Sequence, residues 1–104
     1  MNTREKLWAE YQRRPRPPNI GDAIAGVSLG EMDDDVQDVL GSWGPQLDAW
    51  RVARLGRAVA NLERVLPLIT PPETRQYFDL VSALGRAALE AIANGEFVRP
   101  SAPT

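Results

Sequence analysis

The side chains in this sequence that could do chemistry are carboxylates and guanidiniums, and they lie in two separate stretches. The first is an acidic run that holds Glu31, Asp33, Asp34, Asp35 and Asp38. Clustered carboxylates can bind a metal ion, dock a basic partner, or cap and solvate a helix start, where the helix dipole favours negative charge. The run lacks the alternating carboxylates, central glycine and terminal glutamate of a calcium loop. We therefore expect helix capping and solvation rather than a metal site, with an acidic docking patch as the alternative.

The second stretch is a basic helical face that includes a tryptophan. Its members recur every three or four residues: Trp50, Arg54, Arg57, Asn61 and Arg64, with Arg51 at the edge. Tryptophan and arginine together are typical of protein interfaces. The same arginines could follow nucleic-acid phosphates over about 20 Å of helix, or pair with the protein's own acidic run. We predict partner binding through Trp50, Arg54, Arg57 and Arg64.

Two residue types are missing, and their absence excludes several kinds of chemistry. The sequence contains no cysteine and no histidine. This excludes disulfides, thiol catalysis, thiolate zinc sites and histidine-dependent hydrolases. An enzyme that clamps an anionic metabolite with arginines needs charges that face inward, whereas these arginines follow polar helix faces. The sequence thus predicts a protein that is not an enzyme and has no cofactor, with a small all-helical enzyme on an anionic metabolite as an alternative.

The charge of the chain is divided along its length. A length of 104 residues fits one domain, residues 1–104, with a net charge of −2. Residues 20–48 carry seven acidic side chains and no basic one, while both flanking regions are net basic. The highly charged first fourteen residues do not resemble a signal peptide, and no apolar run reaches the length of a membrane span. We therefore expect a cytoplasmic protein without membrane contact, and the overall charge does not favour nucleic acid.

A long helical hairpin, about 45–69 and 71–94, is predicted to supply most of the core. Its first arm has an apolar seam spaced by three and four residues: Val52, Leu55, Val59, Leu62, Leu66 and Ile69. A line of small residues on the same arm predicts a second buried face: Ala49, Ala53, Gly56 and Ala60. Pro67 predicts the end of this arm, and Asn94-Gly95 the end of the next. Thr70-Pro71-Pro72-Glu73 predicts a capping box at the start of the second arm.

Two shorter helices, about 3–14 and 34–43, are predicted to pack on this hairpin. The first presents Leu7, Trp8 and Tyr11 on one side, and Trp8 and Tyr11 could dock on the hairpin or on another chain. The second has an apolar stripe that ends at Trp43 and an Asp34/Gln37 capping box. The remaining segments are a Pro/Arg-rich linker at 13–19, an irregular connector at 19–32 and a flexible tail at 96–104.

These elements define an all-α fold with apolar arcs broader than a two-helix hairpin can cover. Either the shorter helices cover the arcs or a second copy does, and we expect a homodimer that forms a four-helix bundle. Surplus apolar surface, three tryptophans and polarised charge favour a small protein–protein interaction module, such as an accessory subunit, adaptor or inhibitor. The alternative is a nucleic-acid-binding or transcriptional regulator that uses the Arg51–Arg64 face.

Overall fold

The computed structural model describes residues 3–18, 23–41 and 49–95, and this part of the chain is an all-α fold with one short β-hairpin. This confirms the predicted fold class. The elements follow in the order α1 (Thr3–Arg13), β1 (Ala23–Ile24), β2 (Val27–Ser28), α2 (Leu29–Gly41), α3 (Ala49–Val65), a 3-10 turn (Leu66–Leu68) and α4 (Pro72–Ala93). None of the described helices is long and apolar enough to cross a membrane.

The α3–α4 hairpin forms the centre of the core, as its apolar seam predicts. Leu55, Val59 and Leu62 of α3 are buried, and so are Val81 and Leu84 of α4. Helix α3 ends immediately before the 3-10 turn that contains the predicted helix breaker, Pro67. The predicted start of this arm at Pro45 lies outside the described residues.

The predicted second buried face of α3 is wrong. Ala49, Ala53 and Ala60 are exposed, and a Cβ atom added at Gly56 would meet no atom within 4 Å. The close approach between the two helices occurs instead at Gly85 of α4, where an added Cβ would lie 2.6 Å from Cγ2 of a valine on α3. The small residue that lets the backbones come together is therefore on α4, and the small residues of α3 face outward.

The start of α4 differs from the prediction, whereas its end agrees. Pro71 is the N-cap residue with extended φ and ψ of −64° and 123°, and no side chain caps the helix. The predicted capping box of Thr70 and Glu73 is therefore wrong: the helix begins with a proline at N1, which has no N–H to satisfy. At the other end, Asn94 is the C-cap residue and Gly95 has a φ of 69°. This is the left-handed stop that Asn-Gly predicts.

Helix α2 begins five residues before its predicted start at residue 34. Ser28 Oγ accepts a hydrogen bond of 3.4 Å from the backbone N–H of Glu31. Ser28 and Glu31 have the S-x-x-E spacing of a capping box, so the helix starts at Leu29. The Asp34/Gln37 capping box is wrong because Asp34 lies inside the helix. The predicted core residue Trp43 lies outside the described residues.

Within the predicted irregular connector at 19–32, residues 23–28 form a β-hairpin with two residues in each strand, and residues 29–32 begin α2. Residues 19–22 lie outside the described residues. Ala23 pairs with Ser28, and Ile24 pairs with Val27. The two turn residues, Ala25 and Gly26, both have positive φ, 49° and 81°. Such turns match the right-handed twist of paired strands. The hairpin buries Val27 and delivers Ser28 to the first turn of α2.

The two shorter helices, α1 and α2, cover the α3–α4 helical hairpin of their own chain. Helix α1 packs on α4, and α2 packs on both α3 and α4. On α1, Tyr11 is buried while Leu7 and Trp8 are half-buried, so this side docks on the protein's own hairpin. The broad apolar arcs therefore need no second copy to cover them, and the homodimer stays a prediction. The predicted tail at 96–104 lies outside the described residues.

Candidate functional site

A buried carboxylate joins three helices and the Pro/Arg-rich linker. Asp33 of α2 is 0% accessible to solvent. Its Oδ1 accepts a hydrogen bond of 2.9 Å from the hydroxyl of Tyr11 on α1, and the hydroxyl of Tyr77 on α4 lies 3.1 Å from both carboxylate oxygens. Arg16 of the linker donates from Nε and Nη2 to Oδ2 at 3.1 and 2.6 Å. We call these four residues the Asp33 cluster.

The helical register of α2 places Asp33 inside the protein. Residues three and four apart lie on one face of a helix, and Asp33 falls among the buried side chains of Leu29, Met32, Val36 and Leu40. A buried carboxylate is tolerated only when it is paired and hydrogen-bonded. The two tyrosine hydroxyls satisfy its oxygens, and the Arg16 guanidinium balances its charge. The cluster therefore holds α1 and the linker against α2 and α4.

Aromatic rings pack beside the Asp33 carboxylate, which is inaccessible to solvent, whereas the Arg16 side chain is half-exposed. The rings of Trp8 and Tyr11 stack with centroids 5.7 Å apart, and those of Tyr11 and Tyr77 lie 6.0 Å apart. Burial raises the pKa of the Tyr11 hydroxyl above its ordinary value, and the adjacent Asp33 carboxylate raises it further. The same two causes raise the pKa of Tyr77. The hydrogen bond to Asp33 raises the pKa of Arg16 above its ordinary value.

These shifts predict a loss of stability at high pH. The chain has two tyrosines, and both belong to the cluster. Unfolded tyrosines ionise near pH 10, whereas the raised pKa values keep the native hydroxyls protonated. The free energy of unfolding should therefore be unaffected by these groups below about pH 10 and fall as the pH rises above it. Phenolate absorbance should appear only as the chain unfolds.

The control for this pH dependence is a chain with one cluster tyrosine. Tyr77→Phe should remove a substantial part of the alkaline fall in stability, measured by denaturant unfolding at a series of pH values. Native-state ionisation of both tyrosines near pH 10 would contradict the expected protection.

The second feature is the Trp50 surface, formed by the side chains of Trp50, Arg51, Arg54 and Arg57 on α3. The Trp50 side chain is 59% exposed, the largest exposure of any large hydrophobic residue that the structure describes. The guanidinium carbon of Arg54 lies 5.0 Å from its ring centroid, and that of Arg51 lies 5.9 Å away. Both distances are within the range of a cation–π interaction.

Carboxylates of α2 fix the arginines that support this tryptophan. Arg54 Nε lies 2.8 Å from Asp35 Oδ1, and its Nη2 lies 3.2 Å from Asp38 Oδ2. Arg51 Nε lies 3.9 Å from the same Asp38 oxygen. This confirms that part of the arginine face pairs with the protein's own acidic run. The basic charge available to a nucleic acid is reduced accordingly.

Some of the remaining predicted site residues contact the Asp33 cluster or the Trp50 surface, and the others contact neither. Asp34 is exposed, and among the described residues its ion pair is with Arg16, at 3.3 Å. Glu31 is exposed and its backbone N–H is capped by Ser28. Arg57 is exposed, and Arg64 donates to Ala25 O and Asn61 Oδ1, both at 3.5 Å. The acidic run thus serves three purposes: one buried carboxylate, two that fix arginines, and two on the surface.

Sequence reasoning missed two members of the buried cluster, Arg16 and Tyr77. Arg16 lies in the predicted Pro/Arg-rich linker, to which no site was assigned, and no functional role was predicted for Tyr77. The signal that could have found the cluster is Asp33 itself, since the apolar stripe of α2, extended back by one turn from Val36, passes through it. A carboxylate on an apolar stripe requires a cation and hydrogen-bond donors nearby.

Within the described ranges 3–18, 23–41 and 49–95, no group of three or more acidic side chains is arranged to hold a metal ion. Comparison of the chain with protein families, with curated proteins and with solved structures gave no match. The Asp33 cluster and the Trp50 surface are therefore the features of the described residues from which a function can be inferred.

Proposed function

We propose that this chain is a non-enzymatic protein–protein interaction module whose partner binds the Trp50 surface of α3. The observation that carries the proposal is the exposed indole of Trp50, held by cation–π contacts to arginines that α2 carboxylates fix in turn. Tryptophan and arginine dominate binding energy at protein interfaces. An anchor whose neighbours are already ordered loses less side-chain entropy on binding.

The surroundings of Trp50 favour an acidic helix as the bound element. Ala49, Ala53 and Ala60 form an exposed line of small side chains beside it, so a partner backbone can approach α3 closely. Arg57 has no ion pair with any carboxylate in the described part of the chain, and Arg64 bonds only neutral oxygens there. An amphipathic helix with acidic side chains would pair with these two arginines and cover the indole.

The geometry of the Asp33 cluster supports the part of this proposal that says the protein is not an enzyme. A catalytic carboxylate must reach a substrate, but the oxygens of Asp33 are occupied by Tyr11, Tyr77 and Arg16 and closed off from solvent. The alternative of a nucleic-acid-binding regulator is less well supported, because Asp35 and Asp38 neutralise Arg54. No comparable observation favours it.

Trp50→Ala should weaken partner binding at least tenfold while leaving the fold intact, since the exposed indole contributes to the interface and little to the core. The measurement is quantitative affinity capture from the native host with wild type, Trp50→Ala and Leu68→Ala as baits. Leu68 is the matched control, because it is also exposed, at 53%, but lies beyond the other end of α3. Thermal unfolding should place Trp50→Ala within about 0.5 kcal/mol of wild type.

Two outcomes would redirect or reject the proposal. If light scattering gives a dimer that Trp50→Ala converts to a monomer, the occupant of the Trp50 surface is a second copy of this chain. If no captured protein depends on Trp50 and the wild type is a monomer, the interaction function fails.

A further inference from the structure

The Pro/Arg-rich segment at residues 14–18, here called the strap, is attached mainly through side chains. Prolines occupy positions 15, 17 and 18 and have no backbone N–H to donate. Among the described residues, the one backbone hydrogen bond of the strap runs from the Arg14 N–H to Glu10 O, at 3.1 Å. Arg16 is bound to Asp33, and Pro17 is buried. The strap is therefore held to α2 by the ion pairs of Arg16 with Asp33 and Asp34 and by the buried Pro17, while Arg14 pairs with Glu10 of α1.

Two depressions lie beside the strap and share three lining residues. One of about 350 Å³ is lined by prolines of the strap, and one of about 470 Å³ is lined by Trp8 and Tyr11. Both are also lined by Arg14, Arg16 and Tyr77, so the Arg16 side chain borders both depressions. Lifting this side chain would join the two into a groove with aromatic walls and the Asp33 carboxylate at its floor.

We propose that the Asp33 cluster is a binding site for an arginine–proline peptide, which Arg16 fills from the same chain and which an equivalent segment of another molecule can fill in its place. This site is separate from the Trp50 surface and does not depend on the proposed function. The ligand class follows from the occupant: a guanidinium on a buried carboxylate, followed directly by a buried proline.

The geometry selects guanidinium over ammonium. Arg16 donates from both Nε and Nη2 to one carboxylate oxygen, and Nη2 also reaches Asp34 Oδ1. A planar fork of donors can make these contacts together, whereas an ammonium acts as a point charge on a flexible stem. The tyrosine hydroxyls satisfy hydrogen bonds of Asp33 but supply no charge, so an empty site leaves a buried anion that favours a cation.

The proline preference follows from the walls of the groove. Tyr77 lines both depressions, and Trp8 and Tyr11 stack beside it. Aromatic grooves bind extended proline-rich segments because such segments lose little conformational entropy on binding. In wild type, the ligand must compete with Arg16. The apparent affinity of the ligand is therefore its intrinsic affinity multiplied by the fraction of molecules in which the strap is open.

The test empties the site in the full-length chain with Arg16→Ala and adds the ligand back. Two probes are used: methylguanidinium, and a synthetic peptide with the sequence of residues 13–19, Arg-Arg-Pro-Arg-Pro-Pro-Asn. Each should raise the Tm of Arg16→Ala by several degrees in a dose-dependent manner, with the peptide acting at lower concentration. Methylammonium, and a peptide with alanine as its fourth residue, should have little effect.

Matched variants separate site binding from general stabilisation. Arg13→Ala removes an exposed arginine that pairs only with Glu10 among the described residues, so its Tm should not respond to the probes. The double variant Arg16→Ala/Asp33→Asn should also not respond. Equal Tm shifts in all three chains, or no shift in Arg16→Ala, would overturn the proposal.

A second variant keeps the test decisive if Arg16→Ala does not fold. Arg16→Gln retains the stem and a hydrogen-bond donor without the charge, and calorimetry with the peptide measures binding directly. The peptide should bind Arg16→Gln at least tenfold more tightly than wild type, because no guanidinium of the same chain competes. Equal affinity for the two chains would show that the peptide binds elsewhere and reject the site.

Discussion

Asp33→Asn should destabilise the folded chain by about 2–4 kcal/mol, although it replaces one side chain with another of nearly equal size. Two buried tyrosine hydroxyls exchange a charged acceptor for a neutral amide oxygen, and a hydrogen bond to a charged group is worth about 1 kcal/mol more than a neutral one. The asparagine amide would also present donors to the Arg16 guanidinium, which is itself a donor. The loss should appear as a lower midpoint in urea with an unchanged m-value.

The exposure of Arg16 limits this loss. Breaking a fully buried ion pair costs about 3–5 kcal/mol because an uncompensated charge stays buried. Here the side chain of Arg16 is 51% exposed, so water can solvate it after Asp33 is replaced. The cost therefore comes mainly from the tyrosine hydroxyls and less from the guanidinium.

The neighbouring carboxylate provides the control. Asp34 is 68% exposed at its side chain and contacts Arg16 at 3.3 Å. Asp34→Asn should change stability by no more than about 0.5 kcal/mol, as is usual for an exposed pair. If Asp33→Asn and Asp34→Asn have equal effects, the Asp33 cluster does not hold α1 and the strap in place.

The parts of the fold that sequence predicts well depend on local signals. The seam of Leu55, Val59 and Leu62 repeats at helical spacing, and Pro67 and Gly95 end the helices near where they should. These features hold whatever the helices pack against. The start of α2 was also encoded locally, by Ser28 and Glu31, but Gly30 between them makes the segment resemble a loop.

The parts that sequence does not predict depend on contacts between distant residues. Arg16, Tyr11 and Tyr77 lie 17, 22 and 44 positions from Asp33, and no periodicity relates them. Asp33 stands in a run of carboxylates whose other members face solvent or surface arginines. A single sequence shows the run, but only the docking of α1 and the strap determines which carboxylate becomes buried.

The same limit explains why the predicted second buried face of α3 is wrong. The small-residue line of α3 is longer and more regular than the single Gly85 of α4, so periodicity favours α3. Burial is decided by which face meets the partner helix, and α3 presents the branched side chain of Val59 there. A glycine opposite a branched residue creates the close approach, and this arrangement cannot be read from either helix alone.

Gly85→Ala and Gly56→Ala should therefore change stability in opposite directions. Both glycines lie inside helices, where alanine is intrinsically better by up to about 1 kcal/mol. At Gly56 the new methyl group meets nothing within 4 Å, so the variant should gain most of this amount. At Gly85 the methyl group would lie 2.6 Å from Val59 Cγ2 and 3.6 Å from Leu55 Cδ1. Overpacking of this kind costs about 1–3 kcal/mol and should exceed the helix gain.

The valine opposite Gly85 cannot move aside cheaply. A β-branched side chain has one strongly preferred χ1 in a helix, and Val59 lies in the buried seam. Removing its methyl groups should make room, so Gly85→Ala should cost less in a Val59→Ala background than in wild type. A double-mutant cycle by denaturant unfolding measures this coupling, which is expected at 0.5 kcal/mol or more, as is usual for residues in contact. Additive effects at these two positions would show that α3 and α4 do not meet through this valine and glycine.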